Sequence, residues 1–247
     1  MDGKNIHLKA ANDVNLIAAD NTTQSETTNS GKSASIGVSL SQGQAPGFFL
    51  GGNKSKGNEN GNTLTHTNTQ ITATDTVTIE SGEDTNLKGA QVKGKTVNIK
   101  ADGDLNLESL QDEDNYKETN KSAGATINFG VGGVSGTGSA SKGKINSEYQ
   151  SVTEQTGIYA GEGGFDITVG KNTDLKGAVI SSEATPDKNR LSTDTLTYSD
   201  IENHADYSAS SVGVNYNSNL KPGMTLGELG LTPNMGVPVS GESDTTT

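Results

Sequence analysis

Three kinds of residue in this chain are of a type that does chemistry: histidines, clustered carboxylates, and glycine-rich turns bearing aspartate. The histidines are His7, His66 and His204, in three separate contexts, none with a His or Cys partner at metal-ligand spacing. The chain has no cysteine, which removes disulfides and Cys-based metal sites together. His7 alternates with Ile6 and Leu8 and so should face outward. A solvated surface position is the expectation for all three imidazoles.

Paired carboxylates at roughly 5 to 10 Å could cleave a polysaccharide. Asp102 and Asp104 are one candidate pair, and Asp112, Glu113 and Asp114 form a second group. The first pair flanks Gly103 and is accounted for by turn formation, and the second group reads as a charged loop. Gly161 to Asp166 only loosely echoes the calcium-binding nonapeptide of some solenoids. Gly130 to Gly138 lacks the strand-loop-helix setting and the lysine of a phosphate loop. No catalytic residue, cofactor site or metal site is assigned, and the chain is read as not an enzyme.

A different kind of candidate lies in two short apolar patches. Phe48, Phe49 and Leu50 precede Gly51-Gly52, and Phe129, Val131 and Val134 sit in a similar glycine-rich setting. With aromatics at 4% of the chain, such residues, if exposed, are candidate contacts for a membrane or a partner protein. The alternative is that both patches pack against the rest of the chain and cover an edge strand.

The elements that must position these residues are constrained by composition. Acidic residues outnumber basic ones by 30 to 18, a formal charge of −12. No basic cluster stands out in the sequence, so a nucleic acid partner is not expected. No apolar run approaches the ~18 residues of a membrane-spanning helix. The start lacks the charged and apolar regions of a signal peptide. A cytosolic protein and an internal fragment of a larger exported one both fit that start. Leu, Ile, Val and Phe together number 46 of 247 residues. So few apolar residues with this net charge imply disorder, or an architecture that buries only a thin strip per unit length, such as a solenoid.

Internal repetition favours the solenoid. Thr76-Val77-Thr78-Ile79 recurs twenty residues later as Thr96-Val97-Asn98-Ile99, and Thr85-Asn86-Leu87 as Leu105-Asn106-Leu107. The turns between them are Ser81-Gly82-Glu83-Asp84 and Ala101-Asp102-Gly103-Asp104. Short alternating runs with this punctuation predict strands and turns, and a coil of about twenty residues predicts a parallel β-helix. The inward positions are then Ile6, Leu8, Val14, Leu16, Val77, Ile79, Leu87, Val97, Ile99, Leu105, Leu107, Ile167, Val169 and Leu175. Asn at recurrent turn positions is suited to side-chain ladders. A longer period overlies this one: residues 3–10 resemble 94–101, and 105–112 resemble 196–203, both displaced by 91.

Each long unit also holds a segment outside the coil pattern. Ser33 to Leu40, Ala125 to Val131 and Ser211 to Tyr216 alternate strictly. Gly- and Ser-rich stretches follow the first two (51–62 and 132–143), and then a Thr-rich return, 63–74 in one unit and 145–156 in the other. These read as antiparallel β-hairpin arms near 33–74 and 122–156, or as flexible insertions. Residues 1–219 form the repeat region. Residues 220–247, with three of the five prolines at 220–238, read as a Gly/Pro cap or linker with a disordered end.

The coil pairs, Asn86 to Val92 (NLKGAQV), Leu105 to Asp112 (LNLESLQD), Thr65 to Gln70 (THTNTQ) and Tyr207 to Ser211 (YSASS) together resemble filamentous hemagglutinin-like exoproteins. They are most similar to the second hemagglutinin-repeat region of CdiA-type contact-dependent growth inhibition effectors, over nearly the whole chain. The resemblance implies an all-β, right-handed parallel β-helix with projecting arms. It implies a very large parent protein, exported by two-partner secretion through an outer-membrane transporter, secreted and held at the bacterial cell surface. It further implies a structural and delivery module that associates with the target cell's outer membrane, or with an envelope protein there, and helps toxin translocation. The other readings are an adhesin segment binding a surface carbohydrate or protein, and a polysaccharide-active β-helix enzyme. End-to-end self-association of the fragment through unpaired coil ends is also expected.

Overall fold

Alternation at period two, rich in Thr, Val and Ile, drives almost the whole chain into strands. The computed structural model describes residues 1–40, 46–131, 133–220, 231–235 and 238–246. The protein is all-β, and the one short helical turn among the described residues is a 3₁₀ segment at Pro186–Lys188.

Two of its three sheets are parallel. The first contains β1 (Asp2–Ala10), β5 (Thr69–Ser81), β7 (Ala90–Ala101) and β11 (Gly157–Val169), with β13 (Val179–Ser182) and β14 (Asn189–Ser192) both on β11. The second contains β2 (Val14–Ile17), β6 (Thr85–Lys88), β8 (Leu105–Glu108), β12 (Asn172–Lys176) and β15 (Thr195–Ser199). The third is antiparallel: β3 (Ala19–Ser39), β4 (Gly47–Thr67), β9 (Asp112–Gly130), β10 (Gly133–Ser151) and β16 (Glu202–Leu220), with β17 (Leu231–Met235) and β18 (Val239–Thr246) both on β16.

The register of the parallel sheets explains both periods in the sequence. Ile6 lies beside Val77, Val77 beside Val97, Val97 beside Phe165, and Phe165 beside Asn189. Equivalent positions in successive layers are therefore 71, 20, 68 and 24 residues apart. A short step passes directly to the next layer, whereas a long step first runs out and back through two antiparallel strands. The 91-residue displacement is one short step plus one long one.

The core is the thin strip that composition requires. Val77, Ile79, Val97, Ile99 and Ile167 from the first sheet meet Leu87, Leu105 and Leu107 from the second in one buried cluster. Of the fourteen inward positions expected, Leu8, Leu16 and Leu175 are partly buried against this cluster and the other eleven belong to it. Ile71, Val92 and Ile158 join them, as do the fully buried hydroxyls of Thr85, Thr156 and Thr173.

Outside the core, side chains tie one layer to the next. Asn86 Nδ2 donates to Asn15 Oδ1 (2.9 Å) and Asn106 Nδ2 to Asn86 Oδ1 (2.8 Å). This asparagine ladder crosses β2, β6 and β8 of the second sheet, from strand to strand. The turn positions hold an aspartate ladder instead: Asp13, Asp84 and Asp104 each accept a backbone N–H from the next layer, at 3.0, 2.8 and 2.9 Å. Gly103 is required between such tightly stacked turns, because a Cβ there would overlap the Asp84 carboxylate and the Glu83 carbonyl. Asp102 and Asp104 thus do structural work, Asp102 pairing with Lys100 at 3.3 Å.

The antiparallel sheet differs in detail from its sequence reading. The alternating segments at 33–40 and 125–131 are the distal parts of strands that begin much earlier, at Ala19 and Asp112. The glycine- and serine-rich stretches at 51–62 and 133–143 are strands too. At ~3.4 Å per residue, the 21-residue β4 is roughly 70 Å long. Asp112, Glu113 and Asp114 are not a loop but the first residues of β9. Much of the cap or linker at 220–247 (221–230, 236–237 and 247) lies outside the described residues; 231–235 and 239–246 pair with β16.

Leu107→Ala, at a side chain only 1% exposed, is expected to lower unfolding stability by about 2–5 kcal/mol in urea titrations followed by far-UV circular dichroism. Asn86→Ala, which removes two ladder hydrogen bonds at the surface, is expected to cost about 1 kcal/mol. The folded spectrum should be that of β-sheet with little helix, and a random-coil spectrum would contradict the architecture.

Candidate functional site

The candidate contact residues lie at the end of the antiparallel sheet far from the core. Residues directly opposite one another in such a sheet project from the same face, as do residues two apart along a strand. One cross-strand row is Val38, Phe48, Phe129 and Val134. The next row on that face is Ile36, Leu50 and Ile127, ending on Gly136. These seven apolar side chains are all exposed, Phe48 by 61% and Phe129 by 47%. Val131, just beyond the end of β9, is 84% exposed.

Two segments 80 residues apart in sequence therefore form one surface. In sequence Phe48 and Leu50 form one patch and Phe129, Val131 and Val134 another, and Ile36, Val38 and Ile127 stand outside both. Their strict alternation was the available signal, and the cross-strand register was the missing one. Phe49 departs from the group. It points to the opposite face, where its ring covers Gly37 so closely that a Cβ at that glycine would lie 2.5 Å from it. The alternative that both patches pack against the parallel sheets and cover an edge does not fit these exposures.

His7 faces outward as expected, whereas His66 and His204 depart from plain solvation. His7 is exposed beside Glu80, with Nε2 3.3 Å from the carboxylate. His66, its side chain only 11% exposed, lies at the root of the antiparallel sheet between Asp20 and Asp112, 3.4 Å from each. Asp112 also accepts the His66 backbone N–H at 2.7 Å. The three residues join β3, β4 and β9 where they leave the core. Asp114, from the same acidic group, accepts a hydrogen bond from Thr63 at 3.1 Å.

His204 on β16 is flanked by Asp206 (3.0 Å) and by Asp244 on β18. Hydrogen bonds to Asp244 and then Asp206 push its pKa up to about 9. His204, Asp206 and Glu242 are the group of ligand-type side chains that converges among the described residues. With one ring nitrogen on Asp206 and the other on Asp244, the imidazole sits as an ion-pair partner of the two carboxylates. Depressions along the sheet are open grooves, such as that lined by Asn115, Lys117, Asn146 and Ser147. No helix among the described residues is long and apolar enough to cross a membrane.

Comparison with known proteins adds the following. The model of the hemagglutinin repeat family matches residues 1–125 and 117–185. The chain is 47% identical over 217 residues to Toxin CdiA of Escherichia coli, covering 86% of this chain and 7% of that protein. It is 42% identical over 221 residues to the 16S rRNA endonuclease CdiA of Enterobacter cloacae, covering 87% and 7%. It is 43% identical over 205 residues to the deoxyribonuclease CdiA of Yersinia pseudotuberculosis, covering 82% and 19%. The chain thus spans only a small part of the curated relatives it matches. No solved structure matches it.

The His204 cluster makes a pH prediction. A folded-state pKa of about 9 against an ordinary 6.5 means that its contribution is complete below pH 6.5 and is lost as pH rises through 9. Pairing of β18 with β16 should loosen over that interval. Histidine NMR titration should find one imidazole with a pKa near 9, and His204→Asn should remove both that titration and the pH dependence of amide protection in β18. A His204 pKa near 6.5 would contradict the clasp.

Proposed function

The chain belongs to the hemagglutinin repeat family, within the CdiA-like group of secreted, surface-exposed exoproteins, and on that premise we propose that it is a structural and delivery module of a contact-dependent growth inhibition toxin. In this reading the segment associates with the outer membrane of the target cell and helps the toxin cross it. The observation that carries the proposal is the exposed apolar surface of Ile36, Val38, Phe48, Leu50, Ile127, Phe129 and Val134, held far from the core on long strands. Monomeric domains rarely leave contiguous apolar side chains in water without a surface to meet.

The relatives support a delivery role over an enzymatic one. The activities in their names differ, on tRNA, on 16S rRNA and on DNA, yet each carries a segment similar to most of this chain. A part shared by proteins of such different activity is suited to a task common to them all. The parent protein would reach the cell surface through a two-partner-secretion transporter of the outer membrane. The repeat region, 1–219 with its arms, would act as one stalk-like module.

Within that module we read the parallel sheets as a right-handed parallel β-helix. In-register stacking at twenty-residue steps supports the β-helix. The near-universal right-handedness of parallel crossover connections supports the hand.

Flotation with outer-membrane vesicles tests the function. The 247-residue chain should co-float with the vesicles, and Phe48→Ser with Phe129→Ser should reduce the bound fraction several-fold while leaving the circular dichroism spectrum unchanged. A chain that stays with the soluble fraction would overturn the delivery reading. Binding abolished by stripping surface protein or polysaccharide from the vesicles would instead support the adhesin.

A further inference from the structure

The register that collects the apolar side chains continues along the same face and collects lysines. Ala34, Gly52, Ala125 and Gly138 form the third row. Lys32 and Lys54 then stand directly opposite each other, followed by Ala123 and Ala140. In the next row Lys56, Lys121 and Lys142 stand opposite one another on three adjacent strands, β4, β9 and β10. Lys144 follows two residues along β10. Besides these six, Lys117 stands on the same face two rows beyond Lys121, in a row with Glu26, so seven of the chain's 18 basic residues share one face of one sheet, in a molecule of net charge −12.

The opposite face is of another kind. It presents Ser33, Asn53, Gly124 and Ser139 in one row, and Gly31, Ser55, Ser122 and Ser141 in the next. Its charges in this part of the sheet are acidic: Glu59 opposite Glu118, the latter accepting a hydrogen bond from Tyr116 at 2.9 Å.

Like charges directly opposite on neighbouring strands repel and destabilise a sheet. A row of three lysines is therefore a cost to the isolated fold. The six lysines are exposed and form no ion pair among the described residues. An external anionic surface would relieve that cost. The two apolar rows lie about 14 and 20 Å along the strands from the Lys32–Lys54 row, by strand geometry. Lysines and apolar side chains point the same way, so a flat surface meets both at once.

We propose that this face lies flat on a lipid bilayer, with its lysines on anionic phosphate headgroups and Phe48, Leu50, Ile127 and Phe129 entering the boundary between headgroups and acyl chains. The proposal rests on the membrane-associated reading of the module and specifies which surface makes the contact and which lipids it selects. Surface docking fits the dimensions better than spanning. The two apolar rows cover about 7 Å along the strands, against the ~25 Å apolar band of a membrane barrel. A face-on pose keeps the sheet's backbone hydrogen bonds intact and its unpaired edge out of the hydrocarbon. A second copy of the chain is a poor occupant, because two such faces would bring lysine against lysine.

The test uses the full chain with vesicles of phosphatidylcholine alone and of phosphatidylcholine with phosphatidylglycerol. The chain has no tryptophan, so Phe48→Trp is a clean reporter. Its emission should shift to the blue on anionic vesicles and remain unshifted with neutral vesicles or with inorganic phosphate alone. At about fivefold per headgroup-proximal lysine, the triple variant Lys56→Gln, Lys121→Gln, Lys142→Gln should lose roughly 100-fold in apparent affinity. A charge-matched variant off the sheet, Lys4→Gln, Lys95→Gln, Lys171→Gln, should bind as the parent does. Lys121→Gln alone should raise the thermal midpoint while weakening binding, opposite signs that a purely structural lysine would not produce.

Equal losses in the two triple variants would reduce the effect to net charge and overturn the proposal, as would an emission shift on neutral vesicles equal to that on anionic ones. Displacement by inorganic phosphate without a blue shift would make the face a free-anion site and overturn it too. Outer-membrane vesicle binding that survives the on-sheet lysine triple would reject this face and leave the delivery reading standing. Failure to bind outer-membrane vesicles at all would reject that reading itself.

Discussion

The register of the antiparallel sheet is the constraint on which the surface of this protein depends. Side chains alternate between faces with a period of two, so slipping any one strand by a single residue would send its lysines and aromatics to the other side. Val38 beside Phe48 beside Phe129 beside Val134 is a statement about four strands from two hairpins. It holds only because the roots of those strands are fixed. His66 with Asp20 and Asp112 provides part of that fixing, at the point where β3, β4 and β9 leave the core. The parallel sheets provide the rest, since each layer's position sets where its hairpin departs.

The two parts of the molecule are stabilised differently. The parallel sheets bury a continuous strip of Val, Ile and Leu, with hydroxyls and ladders of Asn and Asp completing each layer. The antiparallel sheet has no such strip along its length, and its long strands rely mainly on backbone hydrogen bonds, each worth only about 1 kcal/mol net. Gly, Ser and Thr suit that arrangement, because small side chains allow adjacent strands to pair without a packed layer above them. A sheet of this kind is a low-stability extension of a firmer core, the region from which proteins draw the surfaces they use for contact.

This division also accounts for the use of the carboxylates. Asp84 and Asp104 accept backbone N–H groups between layers, Asp112 holds His66, and Asp206 and Asp244 hold His204. Glu108 shows the same use. Burial pushes its carboxyl up, but Lys176 at 2.8 Å and Lys88 at 3.2 Å outweigh that and keep it below the usual range. Where carboxylates are engaged in joining one layer to the next, they are not free to act as a paired acid and base.

Local sequence determined the strands of the parallel sheets, the twenty-residue layer and nearly the whole inward face. Those properties follow from alternation and turn residues within a few positions of one another, as at Val77, Ile79, Leu105 and Leu107. The likeness to the hemagglutinin repeats was also carried by short phrases. Tertiary structure decided what depends on pairing between distant segments. It joined Phe48 and Phe129 into one surface and removed Phe49 from it. It made strands of the serine- and glycine-rich stretches, because a neighbouring strand can supply hydrogen bonds that composition does not advertise. It gathered Lys32, Lys54, Lys56, Lys121, Lys142 and Lys144 onto one face of an acidic protein. In sequence those lysines are scattered singly among polar residues, and only cross-strand register determines which face each one joins.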